Sequence, residues 1–280
     1  MGYVSASNTP TIIAQSAYGR ATGGIGSPTA VTISGVNYEY LTFNSTGTLT
    51  VTTAGWFDYL AIGGGGGNVH YANAGGGGGA GQVSCGSIYL SANQTITIGA
   101  GSSFYVYSVY VNQASNTVIG AASPFNVGAF GNTESTAGTG ASTIFVGGGN
   151  GSLGGATSTG TESSLNGYRG GDSTSTLNGG GGGGQSARGG NGSSSTGGTG
   201  GAGYDISAFI GGSTTYKAQG GGGGGSATGG TAATGGVAGS ANTTPPNGGA
   251  NTGQGGGGGY GTPTTGNGGS GVCYIRWSVS

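Results

Sequence analysis

The chain has 280 residues, of which 77 are glycine and only 4% are charged, with a formal net charge of −1. Five Lys and Arg residues spread over that length cannot neutralise a phosphate backbone, so nucleic acid is excluded as a partner. Glycine without a strict triplet period usually signals disorder, but disordered chains stay in solution through high net charge and few aromatics, whereas 9% of this chain is aromatic, including 15 tyrosines.

Residues 1–30 mix Ser, Thr, Ala and Gly around Thr11-Ile12-Ile13 and read as an N-terminal arm or docking segment, with one glycine-rich domain expected over 31–280. From Val31 the pattern alternates: Val31-Thr32-Ile33, Tyr38 to Phe43 and Thr48 to Val51 are predicted strands with one buried face. Asn44-Ser45-Thr46-Gly47 is the turn between two of them, and Ala54-Gly55 precedes the strand Trp56 to Ile62. That strand runs directly into the first glycine tract, Gly63–Gly67. A second tract, Gly75–Gly79, leads into predicted strands at Gln82 to Cys85, Ser87 to Leu90, Gln94 to Ile98 and Phe104 to Val111. Shorter apolar groups follow at Val118-Ile119, Phe125, Phe130 and Ile144 to Val146. From Gly147 to Gly271 the chain is glycine, serine and threonine, interrupted at Leu165 to Arg169, Tyr204 to Lys217 and Thr243 to Pro246, which read as loops. Val272 to Val279 closes the chain as an alternating strand whose natural partners are the strands before the first tract.

Gly179–Gly184 is six glycines in a row, and Gly220–Gly225 and Gly255–Gly259 resemble it in length. Such a run has no side chain to bury, so a helix or lone strand gains nothing against the backbone entropy that glycine loses on ordering. Several runs can instead pack side by side as extended threefold helices that satisfy one another's N–H and C=O groups, which only glycine permits on a crowded axis. The expected fold is therefore all-β: a jelly-roll-like β-sandwich with an inserted bundle of polyglycine II helices and almost no α-helix.

Met1 to Ala6 has neither the basic start nor the apolar core of a signal peptide, and no later stretch is long and apolar enough for a membrane span, so membrane insertion is not expected. Cys85 and Cys273 lie far apart in strand-like segments and read as small core residues rather than a disulfide or metal site. No enzyme is expected. Matches to G-x-G-x-x-G are trivial in this background, and no tract carries the Lys-Ser/Thr of a P-loop. His70 is the single histidine and reads as a loop-tip residue, which leaves no zinc cluster. The six acids, Glu39, Asp58, Glu134, Glu162, Asp172 and Asp205, are never paired at short spacing. No catalytic, cofactor-binding or metal residue is assigned and no cofactor is expected.

The order Tyr40 to Val51, Trp56 to Ile62 into Gly63–Gly67, Thr95 to Gly101, and Gly269-Ser270-Gly271-Val272-Cys273-Tyr274-Ile275-Arg276-Trp277 resembles the glycine-rich virion proteins of tailed bacteriophages. The resemblance covers about residues 31 to 280 and implies the virion surface, a tail-fibre, adhesin or other structural role, and other virion proteins as partners. Two functions stand: an exposed fibre or adhesin module that touches a host surface glycan or outer-membrane protein, and a capsid decoration or cement subunit that recognises nothing on the host. Loop aromatics bury area at little entropic cost, so His70, Tyr71, Tyr168, Tyr204, Tyr216 and Tyr260 are the candidate recognition residues, gathered at the ends of the glycine rods. The scarcity of charge leaves little to keep the chain monomeric, and because fibre-like modules of the kind it resembles commonly close around a threefold axis, a homotrimer is expected.

Overall fold

The computed structural model describes residues 17–68, 74–106, 109–112, 114–120, 167–261 and 266–279. The strands are β1 (Arg20–Thr22), β2 (Thr29–Ile33), β3 (Val36–Phe43), β4 (Gly47–Thr53), β5 (Gly55–Ile62), β6 (Val83–Leu90) and β7 (Gln94–Thr97). They continue as β8 (Ser103–Val106), β9 (Val109–Asn112), β10 (Val118–Ile119), β11 (Tyr204–Asp205), β12 (Tyr216–Lys217) and β13 (Val272–Ser278). One four-residue helix, α1 (Ser207–Ile210), is present among the described residues, so the fold is all-β as expected.

A five-stranded sheet in the order β2-β3-β13-β5-β6 faces a four-stranded sheet in the order β1-β4-β7-β10. Between them lie Leu41, Phe43, Phe57, Ala61, Ile275 and Trp277 of the first sheet and Ala21, Leu49, Ile96 and Ile119 of the second. The rings of Phe57 and Trp277 meet edge to face at 5.8 Å, and the Trp277 indole N–H donates to Glu39 Oε2 at 3.1 Å. Each leucine, isoleucine or phenylalanine among them contributes about 1.5–3 kcal/mol on full burial, a drive that glycine cannot supply. The closing strand β13 pairs antiparallel with β3 and β5, the partners expected from its alternation. Cys273, Ile275 and Trp277 point into the sandwich, while Val272 and Tyr274 enter a second core on the outer face of the same sheet.

The glycine tracts leave from this sheet. Gly63–Asn68 continues β5, Ala74–Gly81 leads into β6, and Gly266–Gly271 leads into β13. The tract Gly220–Gly225 lies at the centre of six neighbours. Gly220 and Gly223 donate to Gly201 and Gly198, Gly221 and Gly224 to Gly78 and Gly75, and Gly222 and Gly225 to Val237 and Ser240. Its carbonyls accept from Gly182 and Gly179, from Gly258 and from Gly230. Residues i and i+3 thus share a neighbour. The same recurrence appears in Gly63–Asn68, where Gly63 and Gly66 donate to Gln82 and Gly79, and Gly65 and Asn68 to Gly269 and Gly266. Neighbours run in both directions: Gly179–Gly184 is antiparallel to the central tract, and Gly255–Gly258 is parallel to it. Glycine is required here by close approach, because a Cβ on Gly222 would press on the Gly230 carbonyl oxygen and one on Gly181 on that of Thr199.

Buried amide side chains close the ends of the tracts. Asn178, fully buried, accepts from Thr174 N–H at 3.0 Å and donates to the Ser194 carbonyl at 2.7 Å. Gln185 Oε1 accepts from Val83 N–H at 2.9 Å and so ties the end of one tract to the start of β6.

Several local expectations change. The predicted strands at Gln82 to Cys85 and Ser87 to Leu90 are one strand, β6, because every residue from Val83 to Leu90 finds a partner on β5. The apolar run Phe104 to Val111 is divided between β8 and β9, which pair with each other. Tyr204 to Lys217 is not a loop but a hairpin of β11 and β12 carrying α1, folded onto the outer face of the five-stranded sheet through Ile206 and Phe209. Cys273 is buried as expected, and its thiol is pushed far up by burial; Cys85 is exposed, because its side of β6 lies outside the sandwich. The described end of the expected arm holds β1 and the start of β2, and the arm's first 16 residues lie outside the described residues, as do Phe125, Phe130, Glu134, Ile144 to Val146 and Glu162.

Candidate functional site

Among the described residues, one end of the outer face of the five-stranded sheet is covered and the other is exposed. Residues alternate across a strand, so with Phe57 and Ala61 in the sandwich, Trp56, Asp58, Leu60 and Ile62 of β5 share the outer face. The register adds Val83, Cys85, Ser87 and Tyr89 of β6, Tyr274 and Arg276 of β13, and Tyr38 and Tyr40 of β3. The hairpin carrying α1 covers the end bearing Leu60, Ile62, Val83, Val272 and Tyr274. Among the described residues nothing covers the other end, around Trp56 and Tyr89, both of which are exposed.

Arg276 marks the boundary. Its guanidinium lies between the rings of Tyr38, at 4.3 Å, and Phe209, at 4.2 Å. One nitrogen donates to the Phe209 carbonyl at 2.8 Å and another meets Asp58 Oδ2 at 3.1 Å. The second carboxylate oxygen of Asp58 accepts from Ser87 Oγ at 2.7 Å. These contacts hold the ion pair in one geometry on a rigid sheet, where a planar guanidinium suits both stacking and bonding to a carboxylate.

Beyond the ion pair the surface is aromatic. Trp56 and Tyr89 are opposite one another on β5 and β6, with ring centroids at 5.9 Å and an interplanar angle of 73°. Tyr18 bridges to Trp56 from the other side, Trp56 N–H donating to the Ala17 carbonyl at 3.2 Å and Gly19 N–H to the Trp56 carbonyl at 3.0 Å. Burial raises the Tyr18 phenol above its ordinary value, and the neighbouring Asp58 carboxylate adds to the shift. Even so, Tyr18 and Trp56 are each 39% exposed and Tyr89 is 52% exposed.

Among the described residues, the candidates singled out from the sequence do not converge. Tyr168 donates its backbone N–H to the Gly184 carbonyl at 3.0 Å and is half-buried. Tyr204 packs against the second core, and burial raises its phenol. Tyr216 sits on β12 with 38% exposure. These three lie at the sandwich end of the tracts. Tyr260 follows Gly255–Gly259 at the opposite end, its carbonyl accepting from Asn242 N–H at 3.1 Å. His70 and Tyr71 lie outside the described residues. Trp56, Tyr89, Tyr38 and Tyr18 carried no functional weight in the sequence, where the first three are ordinary strand residues. The signal that could have found them is parity, because Trp56 and Asp58 lie on the face opposite Phe57. Among the described residues no group of three or more His, Cys, Asp or Glu lies together, and no helix is long and apolar enough to cross a membrane.

With this architecture in view, the chain belongs to the glycine-rich domain family, whose pattern matches residues 42–278. Neither a curated protein nor a solved structure matches the chain.

Proposed function

We propose that the protein is a non-enzymatic structural component of a tailed-bacteriophage virion, an exposed tail-fibre or adhesin module that contributes to host attachment. The observation that carries the reading is the packing of Gly220–Gly225 among six neighbouring segments. A core made of backbone offers stiffness and no side-chain chemistry. The recurrence of partners every third residue supports naming the tracts polyglycine II helices. A stiff bundle with little charge, joined to a sandwich with an open aromatic face, suits a surface module that presents a binding site. Its place on the virion rests on the resemblance of strand and tract order given above. Other virion proteins and a host glycan or outer-membrane protein are its partners in this reading, and a homotrimer is its assembly.

A second reading, capsid decoration, is favoured by exposed aliphatic residues on the sandwich: Ile25 is 58% exposed and Val36 42%. A neighbouring capsid subunit would cover them. Labelling purified particles with antibody in electron micrographs separates the two. Label at the tail supports the fibre reading, label over the shell supports decoration, and particles without label overturn both.

A further inference from the structure

We propose that the open half of the outer sheet face, formed by Trp56, Tyr89 and Tyr18 beside the Asp58–Arg276 ion pair, binds a neutral pyranose oligosaccharide. The inference deepens the attachment reading by naming a ligand class and a site that differs from the loop tyrosines. Three features of the surface select this ligand. The first is area. A large aromatic side chain buries about 150–250 Å² in full, so three rings with 39%, 39% and 52% exposure offer roughly 250 Å² together. A stable protein interface needs about 800 Å² per partner, so the patch is far too small for a second copy and matches a few sugar rings.

The second feature is charge. Asp58 and Arg276 neutralise each other at 3.1 Å, and Arg276 is further held by the Phe209 carbonyl. No excess charge remains to attract an anionic ligand, whereas a hydroxyl-rich ligand can donate to the carboxylate edge and bond with Ser87 and the Tyr18 phenol. The third is rigidity. Trp56 and Tyr89 stand on adjacent paired strands and brace each other edge to face, so little ordering entropy is lost when a ring stacks on them. Flat apolar faces beside fixed hydrogen-bonding groups match the two-sided chemistry of a pyranose, with apolar C–H faces and a polar rim.

The chain carries its own reporter. It has two tryptophans: Trp56, exposed, and Trp277, 1% exposed in the sandwich core. Acrylamide quenching of the full chain therefore reads Trp56, while the unquenched emission of Trp277 reports that the fold is intact. The probes are maltohexaose, cellohexaose and chitohexaose. The expected result is saturable protection of Trp56 by at least one of them, weakened about tenfold or more in Tyr89→Ala and in Tyr18→Ala, with Trp277 still shielded. Three results overturn the site: no protection by any of the three, equal protection in both variants, or a Trp56 already inaccessible in the free chain, which would mean that residues 1–16 or another copy covers the face. Binding by a protein that antibodies fail to find on particles leaves the site standing and removes the virion reading; the reverse result removes the site alone.

Discussion

Replacing Gly222 with alanine tests the backbone core with a single methyl group. The added Cβ would press on the Gly230 carbonyl oxygen and lie 2.6 Å from the Gly239 nitrogen, so both segments must move away. Moving them breaks the bonds from Gly230 N–H to the Gly223 carbonyl, at 2.7 Å, and from Gly239 N–H to the Gly230 carbonyl, at 2.8 Å. A buried polar group left without a partner costs about 1–3 kcal/mol, so losing the two bonds costs roughly 2–6 kcal/mol. Alanine returns only about 0.4–1 kcal/mol by restricting the unfolded chain. The net destabilisation is about 1–5 kcal/mol, and at about 2–4 °C per kcal/mol for a large domain the midpoint falls by roughly 2–20 °C. Gly47→Ala is the control, because its Cβ would meet nothing closer than Phe43 at 3.8 Å, and it stays within about 0.5 kcal/mol of the parent. Differential scanning calorimetry reads both. Gly222→Ala unfolding at the parent's midpoint would refute close packing around the central tract.

Asn178→Ala leaves Thr174 N–H without its acceptor and the Ser194 carbonyl with only Ser175 Oγ, at 3.0 Å, and is expected to cost about 1–3 kcal/mol in thermal unfolding, whereas Asn191→Ala, at an exposed position, costs less. Arg276→Met strips Asp58 of its cation in a largely buried pair and is expected to cost about 3 kcal/mol, part of which Asp58→Leu in the same chain recovers; a double variant no more stable than Arg276→Met contradicts this. Burial pushes Tyr274 up to about 12 from its ordinary value of 10.0. The stability this represents, about 2–3 kcal/mol, is fully present below pH 10 and lost between pH 10 and 12, where the unfolded chain releases the proton first. Denaturant titrations across that range should show the parent losing this stability and Tyr274→Phe losing much less.

The sandwich was readable because its signal is local. The alternation in Tyr38 to Phe43 and in Val272 to Val279 marks two-faced strands, and the need to partner the last strand pointed to the strands before the first tract, among which β3 and β5 are its neighbours. Order in the tracts was readable from the lack of charge, which left a soluble coil without support. Which tract sits at the centre was not readable, because Gly179–Gly184 and Gly220–Gly225 are identical in sequence and glycine carries no side chain to specify a neighbour. The open aromatic face escaped notice for a different reason. Parity puts Trp56 and Asp58 on one side, but whether that side is covered depends on the Tyr204 to Lys217 hairpin, nearly 150 residues away in sequence and read as a loop. The same hairpin removes Tyr204 from solvent, so its aromatic character reflects a core contact as much as a surface.

Amide hydrogen exchange of Gly220–Gly225 tests the hydrogen-bonded glycine core most directly. Gly221 and Gly224 donate to Gly78 and Gly75 at 3.0 and 2.8 Å, and all six N–H groups of the tract have backbone acceptors. They are expected to exchange as slowly as the amides of β13, through global unfolding rather than local opening. Exchange at free-coil rates in this tract, with β13 still protected, would contradict a packed bundle and with it the rigid scaffold on which the proposed function stands.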